Sequence, residues 1–240
     1  MMKKIIRILL ISAGVFIFAG CKKEYNVGTN LANINILNAI VNVPTLIVNT
    51  SGKKGVWNLL SAPTANTSKA NYGIGLANTF TAGIPSALTI VSSADTLRPL
   101  YKAADFTPQP GELYTLFLAG RADAVEPVLI KEQLVPRADS ATGVRFVNLV
   151  SNSGPISVNI KNMATSEVAG LSYKQVSDFK VYDAHKANSS YVFEMRDASN
   201  ALLASFTYTV ARTFNVTLVL RGLIGGAAPN APTITKLNHY

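Results

Sequence analysis

The chain has 240 residues, 48% of them apolar, a formal net charge of +9 and a single cysteine. That length and apolar content suit two domains of ordinary size, each able to bury a core. One cysteine excludes a disulfide framework. Scattered positive charges (Lys53, Lys102, Arg145, Lys180, Arg212), with no basic run interleaved with aromatics, exclude a nucleic-acid platform. The first element is an apolar stretch from Ile8 to Phe18, preceded by Lys3, Lys4 and Arg7 and followed by Ala19-Gly20-Cys21. A positive n-region, a short apolar h-region and small residues at a cut site define a secretory signal. The stretch is short of the roughly 20 residues that cross a bilayer as a helix. With those three positive charges assigned to the signal, the rest of the chain carries +6, a solvated surface that keeps a protein soluble.

Ala19-Gly20 followed at once by Cys21 resembles the lipobox cut by the lipoprotein signal peptidase, with Phe18 where that pattern usually has leucine. The resemblance implies that residues 1–20 are removed and that Cys21 carries acyl chains on its sulfur and amino group. Each buried methylene contributes about 0.8 kcal/mol, so several chains together hold a protein to a membrane where one is marginal. Lipidation would consume the only thiol and leave no cysteine nucleophile or thiolate metal ligand. Residues 21–31, polar from Lys22 to Asn30, read as the lipidated cysteine and a flexible tether. No Asp follows Cys21, so the expected place is the outer membrane of a Gram-negative envelope, on its periplasmic or its surface face.

Beyond the tether, period two dominates. Ile156, Val158 and Ile160 alternate with Ser157 and Asn159, and Phe214, Val216, Leu218 and Leu220 alternate with Asn215, Thr217 and Val219. This places one face on a core and the other toward water, as in antiparallel strands. Asp197-Ala198-Ser199-Asn200 supplies turn chemistry between two runs and predicts a hairpin. The polar, proline-bearing stretch Val135 to Ser140 reads as a link between halves at 32–135 and 141–240.

The halves repeat. Asn38 matches Asn148, Asn42 matches Asn152, and Val48-Asn49 matches Val158-Asn159 at the same spacing. Tyr114 to Gly120 matches Val216 to Gly222, and Pro127 to Lys131 is paired with Pro232 to Lys236. Short strands with turn signals between them predict a β-sandwich in each half, with two small barrels as the alternative.

Arg145 to Ser151, Ala169 to Asp178, Tyr191 to Asp197 and Thr217 to Gly222, in this order, resemble the repeat family called domain of unknown function 4397. The resemblance covers the second half from about Thr142 and the ends of the first half, whose middle, Trp57 to Gly83, departs. It implies two tandem immunoglobulin-like antiparallel β-sandwich domains, after a signal helix and short tether, in a secreted or lipid-anchored bacterial protein. The family has no established activity, so no functional residues carry over.

Catalytic residue types are sparse. The two histidines, His185 in a polar loop and the penultimate His239, read as solvated residues because no nucleophile motif accompanies them. Ser51-Gly52-Lys53-Lys54 and Ser177-Asp178-Phe179-Lys180 fit Ser-x-x-Lys, but both sit among strands and turns, where the helical spacing that chemistry needs is missing. Trp57 and Tyr72 flank a Ser-, Thr- and Asn-rich stretch, Ser61 to Asn71, as aromatics beside amides do on sugar-binding surfaces; the alternative puts Trp57 in the first core. The reading is a non-catalytic, lipid-anchored envelope module that binds a glycan or an envelope protein, without cofactor, metal or nucleic acid. A polysaccharide hydrolase and an architectural or fibre subunit are the alternatives.

Overall fold

The computed structural model describes residues 30–50, 67–86, 88–103, 106–185 and 187–239. The chain is all-β and forms two β-sandwiches. The first consists of β1 (Leu31–Asn38), β2 (Thr45–Asn49), β3 (Thr67–Asn71), β4 (Gly75–Thr81), β5 (Thr89–Ser92), β6 (Pro99–Lys102), β7 (Leu113–Arg121) and β8 (Ala124–Lys131). The second consists of β9 (Ala141–Asn148), β10 (Ile156–Ile160), β11 (Ser166–Leu171), β12 (Lys180–Asp183), β13 (Ser190–Arg196), β14 (Leu202–Thr209), β15 (Asn215–Arg221) and β16 (Thr233–His239).

The first sandwich stacks a β4-β1-β7-β8 sheet on a β3-β2-β5-β6 sheet. The second stacks β12-β9-β15-β16 on β11-β10-β13-β14, which is the same order strand for strand. In both, the first strand pairs in parallel with the seventh, while the other pairings are antiparallel. The described strands in the middles of the two halves, which align poorly as sequence, therefore share one topology.

The repeated asparagines end the first strand of each sandwich. Asn38 Oδ1 accepts the Ile40 amide at 3.1 Å, and Asn148 Oδ1 accepts the Val150 amide at 3.1 Å. Their side-chain amides hold the chain that follows, Asn38 through the Val43 carbonyl and Asn148 through the Leu171 carbonyl and the Ser153 hydroxyl. Both side chains are fully buried. An Asn side chain mimics a backbone turn and satisfies groups that leaving the sheet would strand. The Asp197 to Asn200 hairpin forms as expected: Asp197 Oδ1 accepts the Ser199 and Ala201 amides, and Asn200 takes a left-handed φ of 66°.

The proline-led match needs a correction. Leu118 on β7 faces Pro127, whereas its counterpart Leu220 on β15 faces Ile234. Pro127 thus corresponds to Ile234 and not to Pro232. The longer loop after β15 displaces the match by two residues, which preserves the face each side chain takes.

Each sandwich has its own core, built around Ile34, Ile36, Leu46, Ile90 and Leu116 in the first. The second is built around Phe146, Val158, Phe193, Met195 and Leu218, with Phe146 and Phe193 edge to face at 5.2 Å. A third cluster lies between the sandwiches. Leu37, Ala39, Phe117 and Ala119 of the first meet Val147, Leu149, Val219 and Leu237 of the second. Period two explains both uses of a strand: Leu116 and Leu118 face inward while Phe117 faces the other sandwich. The four sheets therefore lie in series, with the β4-β1-β7-β8 and β12-β9-β15-β16 sheets in the middle. The expectation that Asn215, Thr217 and Val219 face water is corrected by this packing, since all three are fully buried.

Candidate functional site

Two polar features interrupt the apolar junction. The first is a buried network. Glu132, just after β8, accepts hydrogen bonds from Thr115 on β7 and from Arg145 on β9 through one carboxylate oxygen, both at 2.5 Å. The Arg145 and Glu132 side chains are nearly inaccessible to solvent. Arg145 Nε donates to the Thr217 hydroxyl at 2.8 Å, and that oxygen lies 2.6 Å from His239 Nε2. Thr217 Oγ1 thus accepts from Arg145 and forms a second hydrogen bond with His239 Nε2. Burial, above all, holds His239 down at a pKa of about 4; nearby Glu132 opposes that shift and Arg145 adds to it. Phe179 packs its ring under Arg145, 4.5 Å from the guanidinium, and edge-on to His239. The expectation of a solvated His239 is thus corrected: the strand carries it back into the junction. This network spans both sandwiches and reads as structural, although Glu132 Oε2 is buried without a hydrogen-bond partner among the described residues.

The second feature is a cleft of about 480 Å³ at one end of the junction, lined by Asn42, Val43, Pro44, Asn71, Tyr72, Arg221, Pro229 and Asn230. Each polar residue is placed by backbone structure. The Tyr72 amide donates to the Pro44 carbonyl at 2.8 Å, and the Gly73 amide to the Asn38 carbonyl at 2.7 Å, so the Asn38 turn positions Tyr72. Arg221 ends β15 and donates from Nε to Thr235 on β16 at 2.8 Å. Its guanidinium stacks 4.3 Å over the Tyr72 ring, a cation–π contact across the junction. Gly73, with φ of 74°, lies against that guanidinium so closely that a Cβ would overlap it, and a Cβ on Gly75 would overlap Leu237. Absence of a side chain at both positions permits the second sandwich to approach. Asn42 and Asn230 exchange two hydrogen bonds across the cleft, Asn42 N to Asn230 Oδ1 at 3.2 Å and Asn230 Nδ2 to Asn42 Oδ1 at 2.7 Å. Among the described residues, the Tyr72 hydroxyl and Arg221 Nη1 are buried without a hydrogen-bond partner.

Of the residues singled out in the sequence, Cys21 and Trp57 lie outside the described residues, as does the Ser51–Lys54 motif. Tyr72 is at the junction cleft and not on an open surface. The structure does not bring Ser177 and Lys180 together: Ser177 Oγ accepts the Phe146 amide and donates to the Asp178 carbonyl, while Lys180 reaches Glu167. His185 pairs with Asp183 in an exposed loop; the hydrogen bonds from the His185 backbone and ring hold the Asp183 carboxyl below its usual range. Among the described residues, no group of three or more His, Cys, Asp or Glu side chains could hold a metal ion. Arg221, Asn42 and Asn230 were not legible as a site, because residues nearly two hundred positions apart meet only when the sandwiches dock. No family model and no curated protein matches this chain.

Proposed function

We propose that the chain is a lipid-anchored protein of the cell envelope, held through acyl chains on Cys21, whose docked immunoglobulin-like sandwiches form a non-catalytic module that binds a glycan or another envelope component. The observation that carries this reading is the junction cleft, in which residues from both sandwiches converge and two buried polar groups lack partners. Unpaired buried groups call for an explanation, and a ligand at the cleft they line is one. The signal and Cys21 support the anchor, and the resemblance to domain of unknown function 4397 repeats supports the envelope setting. A binding role is favoured over hydrolysis because Ser177 and Lys180 are engaged with other partners.

Cell fractionation tests the anchor: Cys21→Ala is expected to release the protein from outer membranes, and unchanged membrane association would overturn it. Digestion by added protease on intact cells, with a periplasmic protein as integrity control, assigns the face. Binding of the purified full chain to immobilised envelope and extracellular polysaccharides tests the module. Saturable retention on at least one is expected, whereas turnover of a polysaccharide to shorter products would replace this reading with a hydrolase.

A further inference from the structure

Resting on the reading of the chain as a binding module, we propose that the junction cleft takes the carboxylate of an acidic saccharide, one or two sugar units long. The donors are Arg221 Nη1 and the Tyr72 hydroxyl, both buried and unpartnered. Arg221 has its Nε committed to Thr235 and its guanidinium carbon 4.3 Å from the centre of the Tyr72 ring, which holds the group in place before any ligand arrives. A guanidinium and a phenol hydroxyl contributed by two lining residues can both donate to one oxyanion, a role that favours arginine over lysine.

The rest of the lining matches a sugar. Asn42, Asn71 and Asn230 contribute amides, and each amide both donates and accepts, as a sugar hydroxyl does. Val43, Pro44 and Pro229 supply apolar surface for the C–H face of a ring. The volume of about 480 Å³ lies in the range of small-ligand sites. No acidic side chain lines the cleft, so nothing there competes for the guanidinium. Arg221 Nη1 and the Tyr72 hydroxyl are closed to solvent, and the Asn42–Asn230 pair bridges the cleft at its exposed side. The carboxylate reaches its donors when that pair parts, and the released amides then serve the ligand hydroxyls.

Isothermal titration calorimetry on the full chain in detergent micelles tests this with glucuronate, glucose and N-acetylalanine as probes. Glucuronate is expected to bind saturably, and glucose and N-acetylalanine at least about tenfold more weakly. Arg221→Lys is expected to lower glucuronate affinity about tenfold. Tyr72→Phe keeps the ring under the guanidinium and removes only the hydroxyl, so it remains informative if the arginine variant fails to fold; a severalfold loss is expected. No binding of glucuronate, equal binding of glucose, or unchanged affinity in a folded Tyr72→Phe variant would overturn the proposal. Tighter binding of N-acetylalanine would overturn the saccharide assignment. Retention of the chain on a polysaccharide without any response to glucuronate would sink the cleft inference and leave the binding module standing; failure of both would remove both.

Discussion

The two sandwiches share a strand order but fill one equivalent position differently. Asn35 on β1 lies beside Thr115 on β7, and Arg145 on β9 lies beside Thr217 on β15, in the same parallel register. In the first sandwich this neighbour pair is neutral, and the Asn35 side-chain oxygen is buried without a partner. In the second it carries a guanidinium that reaches across the junction to Glu132. Asn42 and Asn152 diverge in a related way. Asn152 holds the loop after β15 of its own sandwich through Ile224, and Asn42 holds the same loop through Asn230 from the other sandwich. The turn after β7 is only two residues long, so the first sandwich offers Asn42 no such loop of its own. A duplicated fold has become an asymmetric pair, in which the repeat-derived positions serve docking.

The sharpest way to break that asymmetry is to remove its acid. Glu132→Ala leaves Arg145 buried and unpaired, and is expected to cost about 3–5 kcal/mol in urea unfolding. Replacing both partners, Glu132→Met with Arg145→Met, is expected to recover most of the loss, because no charge remains in the apolar junction. If Glu132→Ala costs less than about 1 kcal/mol, the pair is no part of what docks the sandwiches.

Much of the frame was legible in the residues, and the docking was not. Strand alternation and the recurring Asn38 and Asn148 point to two sandwiches because period two and turn chemistry are local. Thr217 and Val219 misled for the same reason: alternation reports that a strand has two faces, but not that a second sheet covers the polar one. Their neighbours on β9, Arg145 and Val147, carried a faint signal, since Arg145 lies in a run from Val144 to Val150 whose only other polar residue is the turn-forming Asn148. The cleft was less legible still. Tyr72 was singled out for its amide-rich surroundings, but its partner Arg221 belongs to the other repeat, and no local pattern joins them.

A smaller effect than the loss of Glu132 is expected on acidification, and it separates the two sandwiches by chemistry. His239 belongs only to the second. Its pKa falls from 6.5 to about 4 on folding because burial penalises the charged ring. Above 6.5 both folded and unfolded chains hold it neutral, so its contribution is at its full value. As the pH falls from 6.5 to about 4, the unfolded chain gains a proton that the folded chain does not, and stability declines by roughly 3 kcal/mol. Below about 4 both forms are protonated and the loss levels off. His239→Gln, which keeps a side chain able to hydrogen-bond Thr217 in either direction, is expected to lack this component of the slope in urea titrations between those limits. An unchanged slope would assign the acid sensitivity to other groups.

The smallest contrast lies in the matched asparagines. Asn38 and Asn148 both accept an amide two residues on, but the Asn148 side-chain amide serves two acceptors and that of Asn38 one. Removing either side chain strands buried backbone groups, at about 1–3 kcal/mol. Asn148→Ala is expected to exceed Asn38→Ala by about 1 kcal/mol, one hydrogen bond's worth. Ser153 Oγ, the additional partner, also donates to the Val150 carbonyl at 2.9 Å, so Ser153→Ala should remove the excess together with that one bond while leaving the Val150 amide on Asn148. In the Ser153→Ala background the two asparagine substitutions should then cost the same, as measured by urea midpoints at constant slope. A persisting gap would mean that the difference arises from the Leu171 carbonyl, through which Asn148 ties the first strand of its sandwich to the end of β11. The first sandwich makes a shorter tie at Val43, five residues after Asn38.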